Sequence, residues 1–184
     1  MTFGNLVALA QSNVVRLLAS SSIAQSGYFL LGGVALGGSE LALRSLIVFA
    51  AACALMNPGA FAVVSRVGRE LAEFTGLGRS APVAGAAMEV FLISLVGIPP
   101  LGGLVGKFLL FGATIDAGFI WLAVVGILNS GLSLAVYLRI VVPMYQQPKG
   151  VVALSRFADM VWTVALVATV AVGLVAQALL GRMA

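Results

Sequence analysis

The sequence predicts an all-α integral membrane protein with five transmembrane helices, the third of which is interrupted midway. Three observations carry this. Of the 184 residues, 61% are hydrophobic and only 9% charged, and mean hydropathy is +1.15, whereas ordinary soluble domains are charged at about 25% of positions. A soluble core of this size cannot hide so much apolar surface, but lipid accepts it. The apolar stretches are long and lack the polar–apolar alternation of barrel strands, so they are helical. The third observation is Pro99-Pro100, placed inside one of the apolar stretches.

Taken in order, residues 1–15 are apolar but end in Gln11-Ser12-Asn13, too short for a bilayer that needs about 20 apolar residues. They read as the tail of a helix or an interfacial lead-in, and 1–16 is treated as a truncated lead-in. The residues carry no basic segment or cleavage site of a secretory signal, so insertion is expected to rely on the spans themselves. The first full span is 17–38, closed by Gly37-Gly38-Ser39. The second, 41–65, carries Asn57-Pro58-Gly59, where proline removes a ladder bond and should kink the helix. Residues 66–80 form the most charged connection, read as a short exposed helix with Arg66/Glu70 and Arg69/Glu73 as i,i+4 pairs. After the stretch 81–116 come a span at 118–139, a polar loop around Gln146 to Gly150, and a last span at 157–181.

Residues 81–116 are either a hairpin of two short spans or one long interrupted span. A continuous helix of about 34 residues would be about 51 Å long, beyond the roughly 30 Å hydrocarbon core, so a single crossing requires an unwound middle. Charge arbitrates, because short cytoplasmic loops collect Lys and Arg. With one crossing, Arg16, Arg66, Arg69, Arg79, Arg139, Lys149 and Arg156 share a side and Arg44 and Arg182 take the other, seven against two. A hairpin divides them five against four. The interrupted single span is preferred, which makes 17–145 one unit followed by a terminal helix at 157–182. The N-terminus is then expected on the cytoplasmic side of the cell inner (plasma) membrane and the C-terminus opposite. The net charge of +4 reports topology, and no nucleic-acid partner is expected.

With no His and a lone Cys53, no structural zinc, haem or iron–sulfur ligation is expected within the chain. No phosphate loop or dinucleotide fingerprint occurs, since the glycine clusters follow no strand. One cation remains at depth, Lys107. A charged amine there is costly and persists only beside a polar cavity or partner, where it can load and release a proton; the alternative is a lysine snorkelling to the interface. The break seven residues earlier favours the first, because Pro99 and Pro100 free the carbonyls of Leu95 and Val96, and transporters build ion sites at such interruptions. Gly102, Gly103 and Gly106 allow another backbone to come close, for the site or for packing alone. Glu89 is either a proton-relay carboxylate or a wetted one. Gln25, Asn129, Ser130, Ser133 and Tyr137 are further polar groups at depth; Gln25, Asn129, Ser130 and Tyr137 are candidates for a polar path, though each singly is more often a helix-to-helix hydrogen bond.

Several segments together resemble one family. Residues 11–28 are similar to the QTN-x-KR-x-LAYSSI-x-(H/Q)-x-GY signature of the subunit N family of NADH-quinone oxidoreductase, residues 55–61 to its LMN-x-GAF segment, and residues 94–108 to its SLAGIPPLAGFxGKF segment. Asn129-Ser130 and Tyr137-Leu138-Arg139 echo its NS and YYLR. The resemblance implies an antiporter-like, proton-translocating subunit of the membrane arm of respiratory complex I, related to cation/proton antiporter subunits. It implies two inverted five-helix repeats, each with a lysine on a broken helix, and a further C-terminal helix. This chain matches the second repeat and the terminal helix, and the family's lysine falls on Lys107. By the same resemblance NADH, FMN, iron–sulfur clusters and quinone are bound by other subunits, with no cofactor in this chain. The expected partners are other membrane-arm subunits, a chain supplying the first repeat, and lipid. Val15, Ser20, Pro58 and Glu89 depart from the family pattern, so half of a split subunit and a degenerate, structural version both stand. The competing functions are a non-pumping membrane-arm component and a subunit of a cation/proton antiporter complex.

Overall fold

The computed structural model describes residues 1–98, 102–147 and 156–180, with side chains of the last helix at 160–172. Pro99, Pro100 and Lys149, the side chain of Arg156, and Arg182 lie outside the described residues. Eight α-helices are present among those described: α1 (Thr2–Leu9), α2 (Val14–Ala35), α3 (Leu41–Val67), α4 (Leu77–Ser80), α5 (Pro82–Val96), α6 (Gly102–Asp116), α7 (Ile120–Met144) and α8 (Arg156–Leu180). Helices α2, α3 and α7 are each long and apolar enough to cross a membrane. Helices α5 and α6, of 15 residues each, and α8 are further apolar helices of the bundle.

Helix α3 is the axis of the bundle, packed against α2, α5, α6 and α8. Its apolar face, including Phe49, Met56 and Val63, is buried against Tyr28, Phe91 and Leu95. Small residues set the spacing. A Cβ on Gly59 would run into the Phe91 ring, and one on Gly106 would stand 2.9 Å from the Phe49 Cα, so α5 and α6 approach α3 more closely than an alanine permits. The helix is continuous through Pro58, so the disturbance expected there does not divide the span.

Two ends of the bundle are defined by contacts between loops. At one end the Val14 N–H donates to Arg69 O (2.6 Å), the Leu71 N–H to Ser12 O (2.9 Å) and the Gly76 N–H to Pro143 O (3.0 Å), gathering 11–14, 69–76 and 143–146. At the other end Gly38 lies against Ala117, Ser39 reaches Asp116 (3.5 Å), and Ala35, Ala42 and Ala113 pack together. The chain therefore passes from Ser80 at the first end to Asp116 at the second, and α5 with α6 crosses once. The hairpin alternative is excluded by this placement.

Two expectations are corrected. The connection 66–80 is not one helix with paired charges. Gly68 adopts φ +137° and ends α3, which puts Arg66 and Glu70 on different elements. Glu70 and Glu73 instead form a reciprocal capping box around a 3-10 turn at Leu71–Phe74, and this segment lies at 120° to α5, across the end of the bundle. Of the two readings of residues 1–15, the helix tail agrees with the structure and the interfacial lead-in does not. Met1 lies beside Gly27, midway along α2, and Gly4 sits so close to Ala24 that a Cβ would be 2.7 Å from its backbone nitrogen. Helix α1 thus runs from mid-bundle to the first end, with Asn5 fully buried, and the guanidinium of Arg139 donates to the carbonyls of Ala8 (3.4 Å) and Leu9 at its C-terminus.

Candidate functional site

The site is assembled at the C-terminal end of α5, where the last carbonyls of a helix have no partner within it. Gly97 turns the chain into the left-handed region (φ +92°), and its N–H bonds back to Ile93 O and Ser94 O, both at 3.1 Å. The carbonyls of Leu95 and Val96 are left pointing past the helix. Lys107, five residues into α6, reaches back across the interruption and donates to both, at 2.8 Å to Leu95 O and 2.9 Å to Val96 O. These are the two acceptors that the Pro99-Pro100 pair is expected to free. Lys107 is 3% exposed, so the two charge-assisted bonds offset part of its desolvation.

Close approach on three sides makes the reach possible. A Cβ on Gly97 would come within 3.1 Å of the lysine Cδ, and one on Gly103 would collide with the Ser94 carbonyl, so the first turn of α6 lies alongside the last turn of α5. Gly102 is buried at the start of α6. The ammonium stands 4.5 Å from the centroid of the Tyr28 ring on α2, a cation–π contact whose strength grows on desolvation.

Around this centre the other polar candidates separate into groups. Gln25 Nε2 donates to Leu95 O (3.2 Å), so one carbonyl serves α2 and α6 together. Gln25 Oε1 is buried, and among the described residues the group that faces Gln25 there is the Tyr137 hydroxyl, without a close hydrogen bond. The Tyr28 hydroxyl donates to Gly126 O (3.1 Å) and lies 2.9 Å from Ser130 Oγ, which ties Ser130 on α7 to the ring beneath Lys107. Tyr137 shares a hydrogen bond with Ser21 in the core. Asn129 is not brought to the lysine. Its side chain meets Asn5 (3.4 Å) and Thr2 (3.1 Å), and Ser133 donates to Asn5 Oδ1 (3.1 Å), forming a buried cluster between α1 and α7.

Glu89 lies seven residues before Val96 on α5, which is nearly two helical turns, so the two share a stripe and are about 10 Å apart along the axis. Half-buried, it accepts a hydrogen bond from the hydroxyl of Tyr145, the residue that caps α7 at the first end. That carboxylate hydrogen bond, with some desolvation, holds the Tyr145 phenol above its ordinary value. Sequence reading singled out neither Tyr145 nor Tyr28 as a site residue. The tyrosine of the SSI-x-x-x-GY segment was a signal for the second, and nothing local signals the first. Among the described residues no group of three His, Cys, Asp or Glu could hold a metal ion, and Cys53 is buried and free.

A buried lysine folded back onto the interruption of its own span, within a bundle of continuous helices, defines an antiporter-like membrane domain. The family model described as NADH:quinone oxidoreductase/Mrp antiporter, TM matches residues 1–133, and the chain belongs to this family. It is 43% identical over 154 residues to an NADH-quinone oxidoreductase subunit N of Trichlorobacter lovleyi, covering 80% of this chain and 31% of that protein. The chain thus spans about a third of the curated relatives it matches. Among solved structures, it superposes on a chain of respiratory complex I from Thermus thermophilus with TM-score 0.83 at 32% identity, covering 94% of this chain and 40% of that one. A chain of the Mrp complex from Dietzia sp. gives TM-score 0.79 at 25% identity, covering 96% and 42% respectively.

Proposed function

We propose that these residues form the second half of an antiporter-like subunit in the membrane arm of an NADH-quinone oxidoreductase, in which Lys107 takes up and releases protons during redox-driven translocation. The observation that carries this is the Lys107 amine on the carbonyls of Leu95 and Val96 at an interrupted span, the arrangement in which an ionisable group at membrane depth is supported by irregular backbone. Gln25, buried with its Nε2 on the same carbonyl, adds a polar side chain beside the lysine. Glu89, two turns toward the first end, is the relay carboxylate of this reading, and Ser130 reaches the site through Tyr28. Asn129 and Tyr137 belong to helix packing rather than to the path.

The first end, with Arg16, Arg66, Arg69, Arg79 and Arg139, is cytoplasmic in this proposal, and the end with Glu40, Arg44 and Asp116 faces outward, in the plasma membrane. Neighbouring membrane-arm subunits and the first antiporter-like repeat are the partners. The complex's other subunits bind NADH, FMN, iron–sulfur clusters and quinone.

A structural, non-pumping role is favoured by one feature. Two donors on the last carbonyls of α5 are also what a helix C-terminus needs as a cap. The assembled complex in sealed vesicles, with acidification read by a pH-sensitive dye on NADH addition, separates the readings. Lys107→Ala should lower pumping strongly. Lys107→Arg should impair it too, because guanidinium does not release its proton in a protein. Parental pumping in Lys107→Ala would make Lys107 a helix cap.

A further inference from the structure

At the first end, α2, α3 and the turn that follows α3 enclose a groove of about 640 Å³, and nothing in the translocation reading uses it. One wall is apolar, made by Phe61 and Val64 of α3. The rim is cationic and polar, made by Arg16, Arg69, Asn13 and Ser65. The Val14 N–H to Arg69 O bond (2.6 Å) and the Asn13 Nδ2 to Glu70 Oε1 bond (3.1 Å) fasten the turn to the start of α2, so the two arginines are held on one rim. Arg16 and Arg69 are both exposed. Two carboxylates border the groove, each hydrogen-bonded within the turn: Glu70 accepts from Asn13 (3.1 Å), and Glu73, against the lining Gly68, from the Glu70 N–H (2.8 Å). Helix α2 has 22 residues, about 33 Å, so its first turn lies at the boundary of a roughly 30 Å hydrocarbon layer.

We propose that this groove is a binding site for an anionic phospholipid, whose phosphate is held by Arg16 and Arg69 and whose acyl chain lies along Phe61 and Val64. The pairing of a double cation with an apolar wall at headgroup level matches an amphiphile, whereas a free anion has no use for the wall. Arginine suits the task because its planar fork binds phosphate oxygens bidentately, and basic pockets between helices on the cytoplasmic side attract anionic headgroups. The inference is independent of the role of Lys107.

The test is native mass spectrometry of the full chain, with whatever subunits co-purify, in detergent supplied with phosphatidylglycerol or with phosphatidylcholine of the same acyl chains. Phosphatidylglycerol should be retained in preference. Each of Arg16→Gln and Arg69→Gln should weaken its retention about fivefold, and the pair about thirtyfold, from the attraction typical of one interfacial arginine. Arg79→Gln, at the same end but outside the groove, should leave retention unchanged. Folding of each variant is checked by far-UV circular dichroism, and if the double variant does not fold the single variants decide. Equal retention of the two lipids overturns the proposal, as does an equal loss in Arg79→Gln, which would mean diffuse attraction. Displacement of the lipid by excess inorganic phosphate would mark a free-anion site, and absence of any retained lipid would mean the groove is covered by protein; either outcome also overturns it.

Discussion

Replacing Gly97 with alanine tests the geometry that brings Lys107 to the end of α5. At φ +92° and ψ +50° an L-residue is strained by about 1–2 kcal/mol. Alanine also narrows the unfolded ensemble, which offsets about 0.4–1 kcal/mol. The net loss expected is about 1 kcal/mol. A second effect follows from position. The new Cβ would stand 3.1 Å from Lys107 Cδ, so the lysine stem must give while its far end is held by bonds of 2.8 and 2.9 Å. Lengthening those bonds makes the two residues non-additive, so the cycle of Gly97→Ala with Lys107→Ala should show a coupling of about 0.5 kcal/mol or more. Gly97→Asn, which enters the left-handed region more readily, should lose roughly half as much as alanine. The measurement is reversible unfolding of the purified chain in mixed sodium dodecyl sulfate micelles, followed by circular dichroism, with the slope of the transition unchanged. Stability of Gly97→Ala within about 0.3 kcal/mol of the parent, or a coupling of zero, would refute the reasoning.

Two further outcomes are expected. Glu89→Gln should lower the alkaline titration midpoint of one tyrosine, read by phenolate absorbance, because the carboxylate no longer holds the Tyr145 hydroxyl protonated. Since folding raises that phenol, its contribution to stability is whole below the ordinary tyrosine value of 10.0 and is lost as pH rises through the folded value. An unmoved titration would dissociate Tyr145 from Glu89. Single cysteines at Thr75 and Gln146 should label from one side of the membrane and a cysteine at Ser39 from the other; labelling of 75 and 146 from opposite faces would reverse the end-to-end path of α5–α6.

The spans and the break were legible because they follow from composition and from backbone chemistry that is local in sequence. Two prolines identify which carbonyls lose partners, and a lysine one segment later is the nearby donor. What was not legible depends on the azimuth of separate helices. Tyr28 meets Lys107, and Ser130 meets Tyr28, only because α2, α6 and α7 turn those faces inward together. Asn129 stood as a path candidate or a helix-to-helix hydrogen bond; with α1 packed against α7, Asn5 claims it. The 66–80 connection misled for a different reason. Acid–base spacing suits a helix, but Gly68 takes a backbone conformation that ends one, and the carboxylates turn to the N–H groups released there.

The carbonyl oxygen of Leu95 has two lone-pair directions, and both are taken, one by Gln25 and one by Lys107. Among the described residues Val96 O receives Lys107 alone. Withdrawal of the amine therefore has unequal consequences a single residue apart. Leu95 keeps a donor from α2 and stays in place, whereas Val96 loses the donor it has among the described residues, and a buried acceptor left unsatisfied costs about 1–3 kcal/mol until something hydrates it. The vacancy created by a departing charge is thus assigned to one atom, and the first water drawn into the break would be drawn to Val96.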